Sequence, residues 1–253
     1  MSAISLHNLT LGYERRPAVH HLDGAFSSGG LNAVVGPNGS GKSTLLKGLA
    51  GALSPLTGHI DLDGADARDI AYLPQDNGVS RTFPVTLEGL VSLGLWSRRG
   101  LFGKITAEDR ARMAGAFAAV GLTGLEGRGV DQVSGGQLQR ALFARVLVQD
   151  ARVILLDEPF AALDARTTGD LIGLIRRWPG EGRTVLMVSH DLELVRELCS
   201  QTLLLAREAV AWGPTAEALT TETLLKARRL SEAWADDPVI CRHDDHDHAA
   251  SAA

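Results

Sequence analysis

Gly36-Pro37-Asn38-Gly39-Ser40-Gly41-Lys42-Ser43-Thr44 is the stretch that decides the fold class of this 253-residue chain. It fits the pattern GxxxxGKS/T, and it lies between an apolar run at 31–35 and a helical pattern. That order of strand, loop and helix is what a phosphate-binding loop requires. Glycines let backbone N–H groups turn toward phosphate oxygens, and the N-terminus of the following helix adds favourable partial charge. We therefore predict that the whole stretch binds a nucleotide, with Lys42 on the β- and γ-phosphates and the Ser43 hydroxyl on Mg²⁺.

A second decisive run, Val153-Ile154-Leu155-Leu156-Asp157-Glu158, ends in two carboxylates. Its four apolar residues predict a buried central strand. The C-terminal end of such a strand is where a doubly wound sheet opens its ligand crevice. We expect Asp157 to contribute to the Mg²⁺ shell and Glu158 to orient or deprotonate the attacking water.

Short apolar runs alternate with longer helical patterns through most of the chain, which predicts an α/β fold with a mainly parallel sheet. The predicted strands are 4–11, 31–35, 59–62, 70–73, 153–156, 184–188 and 202–205. Residues 74–150 show helical patterns instead, with a capped helix start at Thr106 followed by Glu108 and Asp109. We therefore predict one domain at 1–230 with a helical lobe inserted at about 76–150, and a polar, disordered tail at 231–253.

The charge balance argues against one class of partner. Lys and Arg number 25 against 30 Asp and Glu, which gives a net charge of −5. Binding nucleic acid by neutralising phosphates needs a basic face, so we predict no nucleic-acid partner.

Two cysteines cannot form a disulfide framework, and no apolar run approaches the ~20 residues that span a bilayer. The first residues also lack the apolar core of a signal peptide. We therefore expect a chain of the reducing cytoplasm.

A third motif, Val133-Ser134-Gly135-Gly136-Gln137-Leu138-Gln139-Arg140, lies between the phosphate loop and the carboxylate pair. Backbone donors at the start of a helix make this segment a second candidate anion site. Here the sequence resembles the ATPase subunits of ATP-binding cassette transporters, whose signature is LSGGQ, with Val133 in place of the usual Leu. The resemblance implies a P-loop NTPase core with an N-terminal antiparallel β subdomain, ATP as the nucleotide and a homodimer. In that dimer the signature residues Ser134, Gly135, Gly136 and Gln137 close on the γ-phosphate that the partner's loop holds.

Four further positions match motifs of the same family. Tyr13 matches the aromatic residue that stacks on adenine, and an isolated tyrosine at a strand end is the alternative. Gln75 matches the glutamine that senses Mg²⁺ and links the core to the helical lobe. Asp164 matches the loop that crosses the dimer seam, and the alternative is only an N-cap for the next helix. His190 matches the histidine that contacts the γ-phosphate. The expected catalytic residues are therefore Lys42, Gln75, Glu158 and His190.

One phosphate loop and one signature make half of a two-site motor, so the complete motor needs two copies or a related partner. Since the sequence shows no membrane span, we expect the spans to belong to a separate permease. Residues 71–75, 81–87, Gly94 and 98–102 are similar to those of importers of zinc, manganese or related divalent metals. The resemblance implies an ATPase on the inner face of the cell membrane. It would drive import through an integral membrane permease that receives its metal from an extracytoplasmic metal-binding protein. Two alternatives stay open: the ATPase of an iron-chelate or cobalamin importer, and a soluble cassette ATPase that acts as an assembly scaffold.

Two clusters of polar residues complete the sequence predictions. His243, His246 and His248 lie among aspartates near the end of the chain, and imidazole and carboxylate suit Zn²⁺. We predict weak Zn²⁺ binding there, because no fixed geometry organises the ligands, and a solubilising tail is the alternative. A local basic excess in the predicted lobe is either a solvated face or a surface near anionic lipid. It consists of Arg98, Arg99, Lys104, Arg110 and Arg112.

Overall fold

The computed structural model describes residues 2–14, 16–75, 78, 84–100, 103–161 and 163–236. The strands in this part of the chain are β1 (Ser2–Tyr13), β2 (Arg16–Ser27), β3 (Leu31–Val35), β4 (Thr57–Asp61), β5 (Ile70–Leu73), β6 (Val153–Asp157), β7 (Thr184–Val188), β8 (Gln201–Ala206) and β9 (Glu208–Pro214). The α-helices are α1 (Lys42–Leu49), α2 (Leu87–Ser92), α3 (Trp96–Arg99), α4 (Ala107–Ala119), α5 (Gly135–Gln149), α6 (Ala165–Ile175), α7 (Leu192–Leu198), α8 (Thr215–Ala218) and α9 (Thr221–Asp236). Short 3₁₀ helices are Ala67–Asp69, Leu93–Leu95, Val130–Gln132 and Pro179–Glu181.

Some of the sequence predictions fall outside the described residues. They concern 81–83 and 101–102 of the importer-like segments and the tail histidines His243, His246 and His248.

A mainly parallel sheet carries the fold, in the strand order β5-β6-β7-β3-β8-β9. Strand β3 pairs in parallel with β7 and β8, and β6 pairs in parallel with β5 and β7. Only β9, in the described part of the chain, runs antiparallel in this sheet. The predicted α/β class is confirmed, and the C-terminal ends of β5, β6 and β7 meet at one edge.

Strand β6 is buried over its whole length, as its apolar run predicts. Ile154 and Leu156 belong to a core shared with the helices of the inserted lobe. Val153 and Leu155 belong to a second core, shared with α1 and the N-terminal strands. Because successive side chains point to opposite faces of a strand, a strand between two cores has no polar face. Packing on both faces therefore fixes the position of the carboxylates at its end.

A separate antiparallel sheet has the order β2-β1-β4 and confirms the N-terminal β subdomain. The predictions omitted two strands, β2 and β9, and were wrong there. The pairing of β2 with β1 contains several register shifts, and at each of them the two-residue alternation is interrupted. Strand β9 lies at the sheet edge with half-buried residues, so it lacks the apolar run that marks the central strands.

The stretch predicted to be helical contains α2 to α5. Among its described residues, strand-like pairing is confined to one isolated bridge between Thr86 and Gly129. Helix α4 begins with the predicted cap: Thr106 Oγ1 accepts from the Asp109 N–H at 3.2 Å, and Asp109 Oδ2 accepts from the Thr106 N–H at 2.9 Å. This reciprocal pair satisfies two backbone donors that the first turn leaves open.

Three of the predicted basic-surface residues are bound to carboxylates of the chain itself. Arg98 and Arg112 donate to Asp150 Oδ2 at 2.6 and 2.7 Å. Arg99 donates to Asp109 Oδ1 at 3.0 Å. The other two residues of that group are exposed. Most of the local basic excess therefore holds the lobe together rather than forming a free positive face.

Helix α9 continues through Asp236, past position 230 where the sequence predicts the end of the domain. Ala227 is buried in the core on the lobe side of the sheet, and Leu224 and Leu230 pack against that core. These apolar residues follow one another at intervals of three, so they lie on one face of the helix, and that face packs on the domain. None of the helices in the described residues has the length and apolar character needed to cross a membrane.

Candidate nucleotide-binding site

Close packing explains two glycines of the phosphate loop, which joins β3 to α1. A Cβ on Gly36 would lie 1.9 Å from the carbonyl oxygen of Leu205, and a Cβ on Gly41 would lie 2.6 Å from that of Ala18. Gly41 also has a φ of +96°, where an L side chain is strained. The loop therefore follows a path that only glycine permits at these two positions.

Lys42 begins α1 and is 7% exposed. Its Nζ donates to the carbonyl oxygens of Gly36 and Pro37, each at 2.8 Å. Burial lowers the pKa of this ammonium group, and the charges of Glu158 and Asp157 oppose that change. An ammonium group has three donors, and the carbonyls of the loop take two of them. Lys42 thus braces the loop while it faces two carboxylates.

A cavity of about 420 Å³ lies beside the phosphate loop. It is lined by loop residues 38–44 and by Gln75, Asp157, Glu158 and His190. These side chains come from the ends of β5, β6 and β7, so the sheet edge and the loop share one space. The cavity contains all four predicted catalytic residues. Tyr13, Asp164 and the signature residues do not line it.

Asp157 is the last residue of β6 and is 1% exposed. Burial raises the pKa of its carboxyl group, and a hydrogen bond with the Ser43 side chain and the charge of Lys42 oppose that rise. Asp157 Oδ1 has no hydrogen-bond partner among the described residues. A buried oxygen in that state is costly unless a ligand satisfies it. The oxygen atoms of Asp157, Ser43 and Gln75 are the kind of donor that Mg²⁺ prefers.

The described residues contain no group of three or more His, Cys, Asp or Glu side chains that would hold a metal by themselves. Mg²⁺ commonly keeps several waters and binds through one or two carboxylates together with substrate phosphates. The sparse donor set around Asp157 is compatible with that mode of binding.

Glu158 and His190 form a close pair at the ends of β6 and β7. His190 Nε2 lies 2.9 Å from Glu158 Oε1, and the His190 side chain is 51% exposed. Glu158 has a φ of +50°, which is uncommon for a residue other than glycine, and its N–H donates to the carbonyl of Val188 at 3.1 Å. Burial raises the pKa of the Glu158 carboxyl group, and His190 opposes that rise. The pair therefore combines a fixed backbone with a mostly buried carboxylate at the wall of the cavity.

Tyr13 lies at the tip of the β1–β2 hairpin, where it pairs with Arg16. Its side chain is 47% exposed, and Lys47 Nζ lies 5.9 Å from the centre of the ring. An exposed aromatic ring is able to stack with a further planar group. Adenine stacking on Tyr13 stays a prediction.

Ser134 caps α5 at the start of the signature. Ser134 Oγ accepts from the Gln137 N–H at 3.2 Å, and Gln137 Oε1 accepts from the Ser134 N–H at 2.9 Å. Ser134 and Gly135 are exposed. Within one chain the structure does not bring this segment to the cavity, and its contact with a nucleotide bound to a second chain stays a prediction.

Asp164 caps α6. Its Oδ1 accepts from the Thr167 N–H at 2.9 Å, and its Oδ2 accepts from the Thr167 hydroxyl at 2.8 Å. These hydrogen bonds lower the pKa of the Asp164 carboxyl group. The N-cap role is confirmed, and the role at a dimer seam stays a prediction.

Sequence reasoning missed two residues around the site. Ala18 lines the cavity, and its strand β2 was itself not predicted. Gln139 is 9% exposed, and its Nε2 donates to the carbonyl of Pro159 at 3.2 Å, next to Glu158. Leu142 and Phe143, three and four residues later on the same face of the helix, were the signal available for its burial.

The chain is similar to known proteins over most of its length. The family model described as ABC transporter matches residues 19–161. The zinc transport system ATP-binding protein TroB of Treponema pallidum is 36% identical over 229 residues, which cover 89% of this chain and 86% of that protein. The manganese transport system ATP-binding protein MntB of Listeria monocytogenes is 34% identical over 240 residues, which cover 93% of this chain and 98% of that protein.

Solved structures show the same likeness. A metal-chelate type ABC transporter in an inward-facing conformation matches with a TM-score of 0.79 and 30% identity, over 90% of each chain. A dimeric ATP-binding cassette in a post-hydrolysis state, bound to ADP and Pi, matches with a TM-score of 0.74 and 25% identity, over 84% of this chain and 98% of that one. The family match and these relatives show that the present chain belongs to the ABC transporter family, as an ATP-hydrolysing subunit.

Proposed function

We propose that this chain hydrolyses ATP to drive the import of a divalent metal ion, zinc or manganese, through a separate membrane permease. The cargo is supported by the likeness, over most of the chain, to relatives named for zinc and manganese transport. The arrangement of the ATPase site is supported by one observation above all. A single cavity joins the phosphate loop to Asp157, Glu158 and His190, so phosphate binding and water activation share one space.

The phosphate loop binds the β- and γ-phosphates of ATP. Helix α1 starts at Lys42, so the loop lies at a helix N-terminus, where unpaired N–H groups and partial positive charge favour an anion. Lys42 Nζ adds a charge-assisted hydrogen bond while it keeps its contacts with Gly36 and Pro37. The exposed ring of Tyr13 stacks on the adenine.

Oxygen atoms of Ser43, Gln75 and Asp157 would hold Mg²⁺. The residues fit the ion, because Asp157 presents a buried oxygen that lacks a partner among the described residues. Ser43 and Asp157 are close enough to interact, since the Ser43 side chain lowers the pKa of the Asp157 carboxyl group. When bound, Mg²⁺ neutralises charge on the phosphate oxygens.

Glu158 accepts the proton of the attacking water. As the water oxygen bonds to the γ-phosphorus, the bond from that phosphorus to the leaving oxygen of ADP breaks, and the proton passes to the Glu158 carboxylate. His190 contacts the γ-phosphate and holds Glu158 through their 2.9 Å contact. The hydrogen bond from the Glu158 N–H to Val188 stabilises the unusual backbone conformation of the residue that carries this carboxylate.

Two copies of the chain complete each ATP site. The exposed start of α5 offers backbone donors to an anion, and it does not line the cavity of its own chain. In a head-to-tail dimer, Ser134 to Gln137 close on the γ-phosphate bound to the partner, and Asp164 lies at the seam. ATP stabilises the closed dimer because it contacts both copies there, and hydrolysis removes that contact. The permease converts this motion into transport of metal received from an extracytoplasmic binding protein.

Transport by reconstituted vesicles tests the proposal. The full chain and its permease are placed in lipid vesicles, and the extracytoplasmic binding protein is supplied with zinc, manganese, an iron chelate or cobalamin. We expect ATP-dependent movement of zinc or manganese toward the side that carries the chain, and none with Glu158→Gln. Movement of iron chelate or cobalamin alone would overturn the proposed cargo. ATP hydrolysis by a chain that never associates with a permease would favour the scaffold alternative.

A further inference from the structure

Gln139 is a buried polar side chain to which the proposed mechanism assigns no role. It is 9% exposed and lies in α5 between residues of the core on the lobe side of the sheet. Its Nε2 donates to the carbonyl oxygen of Pro159 at 3.2 Å, across 20 positions of sequence. Burying an amide is costly unless it is hydrogen-bonded, so this contact fixes the distance between α5 and the segment after β6.

The segment that Gln139 holds is the one that carries Glu158. On one side of Pro159, Glu158 is tied to β7 by its N–H bond to Val188. On the other side, the Ala161 N–H donates to the Glu158 carbonyl at 3.2 Å and forms a turn. Glu158 keeps a φ of +50° in this arrangement. A backbone conformation of this kind persists only where the surrounding contacts determine it, and Gln139 supplies one of them from a different element.

The same helix begins with the signature. Ser134 is the N-cap of α5, and the capping pair with Gln137 makes the signature continuous with the first turns. Gln139 therefore lies on the same rigid element, immediately after the residues that would meet the partner's ATP. The hydrogen bond from Gln139 to the Pro159 carbonyl therefore transmits a displacement of α5 to Pro159. Glu158 is the residue before Pro159 in the chain.

We propose that Gln139 is a positioning residue that couples the two ATP sites of the dimer. This inference rests on the proposed function, in which the signature of one copy closes on ATP bound to the other. When the partner's γ-phosphate draws the start of α5 into place, Gln139 sets the turn at Pro159 and thereby aligns Glu158 of its own chain. Each site then becomes competent for hydrolysis only when the opposite site is filled. This is cooperativity between two sites, and the hydrogen bond from Gln139 to Pro159 is its physical link.

The test compares Gln139→Leu with the control Gln149→Leu. Both variants remove a side-chain amide from α5, because Gln149 Nε2 donates to the Ile70 carbonyl at 2.6 Å near the other end of the helix. Leucine has a similar size and a high helix propensity. The full chain with its permease in vesicles is used to measure ATP affinity, kcat and the dependence of rate on ATP concentration.

For Gln139→Leu we expect unchanged ATP affinity, a kcat lowered by about 10- to 100-fold and a Hill coefficient that falls from about two toward one. Gln149→Leu should keep the kcat and the Hill coefficient of the wild type. Wild-type values in Gln139→Leu would overturn the inference, and so would equal losses in both variants, because these would reflect the stability of α5 alone. If Gln139→Leu fails to fold in a thermal melt, Gln139→Met gives the same comparison.

The measurements also separate this inference from the proposed function. A wild-type chain that hydrolyses ATP cooperatively but moves neither zinc nor manganese would overturn the proposed cargo and leave the comparison of Gln139 variants valid. A wild-type Hill coefficient of about one, with transport intact, would overturn the coupling and leave the cargo standing.

Discussion

His190 Nε2 lies 2.9 Å from Glu158 Oε1. The histidine that follows one strand therefore contacts the carboxylate that follows the neighbouring strand. The parallel register of β6 and β7 creates this contact, because Asp157 lies opposite Val188 in the ladder. Glu158 and His190 follow these positions and leave the sheet at the same edge. Their proximity is therefore set by strand pairing rather than by the loops alone.

Glu158→Gln should bind ATP and almost stop turning over. The amide keeps the size of the side chain but cannot accept the water's proton, so we expect kcat to fall by about 10²- to 10⁴-fold. The ATP-bound dimer should then be long-lived, as measured by light scattering after size-exclusion chromatography. Glu217→Gln, which changes an exposed carboxylate on α8, is the matched control and should behave as the wild type. Hydrolysis at the normal rate would remove Glu158 from its assigned role.

His190→Ala should move the acidic limb of the pH–rate profile to higher pH. Burial already raises the pKa of Glu158, and His190 opposes that rise, so removing His190 lets the pKa increase further. A carboxylate that acts as a base loses activity as the pH falls through its pKa, and with a higher pKa this loss begins at a higher pH. The measurement is kcat against pH for the full chain.

The control for this prediction is His59→Ala, which changes an exposed histidine on β4 in the other sheet. It should leave the profile unchanged. A His190→Ala profile with a lower rate but the same acidic limb would show that His190 does not influence Glu158 electrostatically.

Much of the site was predictable from the sequence because its residues follow local patterns. The phosphate loop and the Asp157-Glu158 pair each come directly after a buried apolar strand, and parallel pairing brings such strand ends together. The contacts that Ala18 and Gln139 make around the site had no comparable signal in the sequence. Ala18 reaches the cavity through a strand interrupted by register shifts, and Gln139 meets Pro159 only through the packing of α5 on the sheet. Long-range packing of this kind leaves no period in the sequence.

Removal of the tail should weaken Zn²⁺ binding. A chain cut after Ile240 lacks Cys241 and the three clustered histidines, whose imidazoles suit zinc. We expect calorimetry to show weak binding by the intact chain and its loss in the cut chain. His7→Ala is the control, because His7 and His59 form another pair of imidazoles in the antiparallel sheet β2-β1-β4, where their rings stack with centres 4.5 Å apart. Equal zinc uptake by the cut and intact chains would exclude the tail as the binding site.

Asp150→Asn should loosen the attachment of the helical lobe to the core. Asp150 ends α5, and its carboxylate accepts from Arg98 and Arg112 of the lobe and from Arg183, at 2.5 Å, just before β7. Asn tolerates the left-handed backbone at this position, where φ is 54°, so the change removes charge without adding strain. Allowing for solvent screening of a partly exposed carboxylate, we expect a loss of about 1 kcal/mol in the free energy of unfolding.

The loss caused by Asp150→Asn should depend on pH in a defined direction. Burial acts to raise the pKa of Asp150, but hydrogen bonds from Arg112 and Arg98 and the charge of Arg183 outweigh it, so the folded pKa lies below the ordinary value. A depressed pKa contributes stability above the unfolded pKa of about 3.9, and this contribution is lost as the pH falls through the folded pKa. Urea unfolding should therefore separate wild type from variant at pH 7, and the difference in the free energy of unfolding should narrow as the pH falls below about 4 toward the folded pKa.

Glu108→Gln is the control for Asp150→Asn, since Glu108 forms an exposed pair with Arg112 at 3.8 Å. Exposed pairs of this kind contribute little, so this variant should unfold as the wild type does at both pH values. If the difference in the free energy of unfolding between Asp150→Asn and wild type stayed the same at low pH, the carboxylate charge would not be what joins the lobe to the core. The shape of the side chain at the end of α5 would then be the cause.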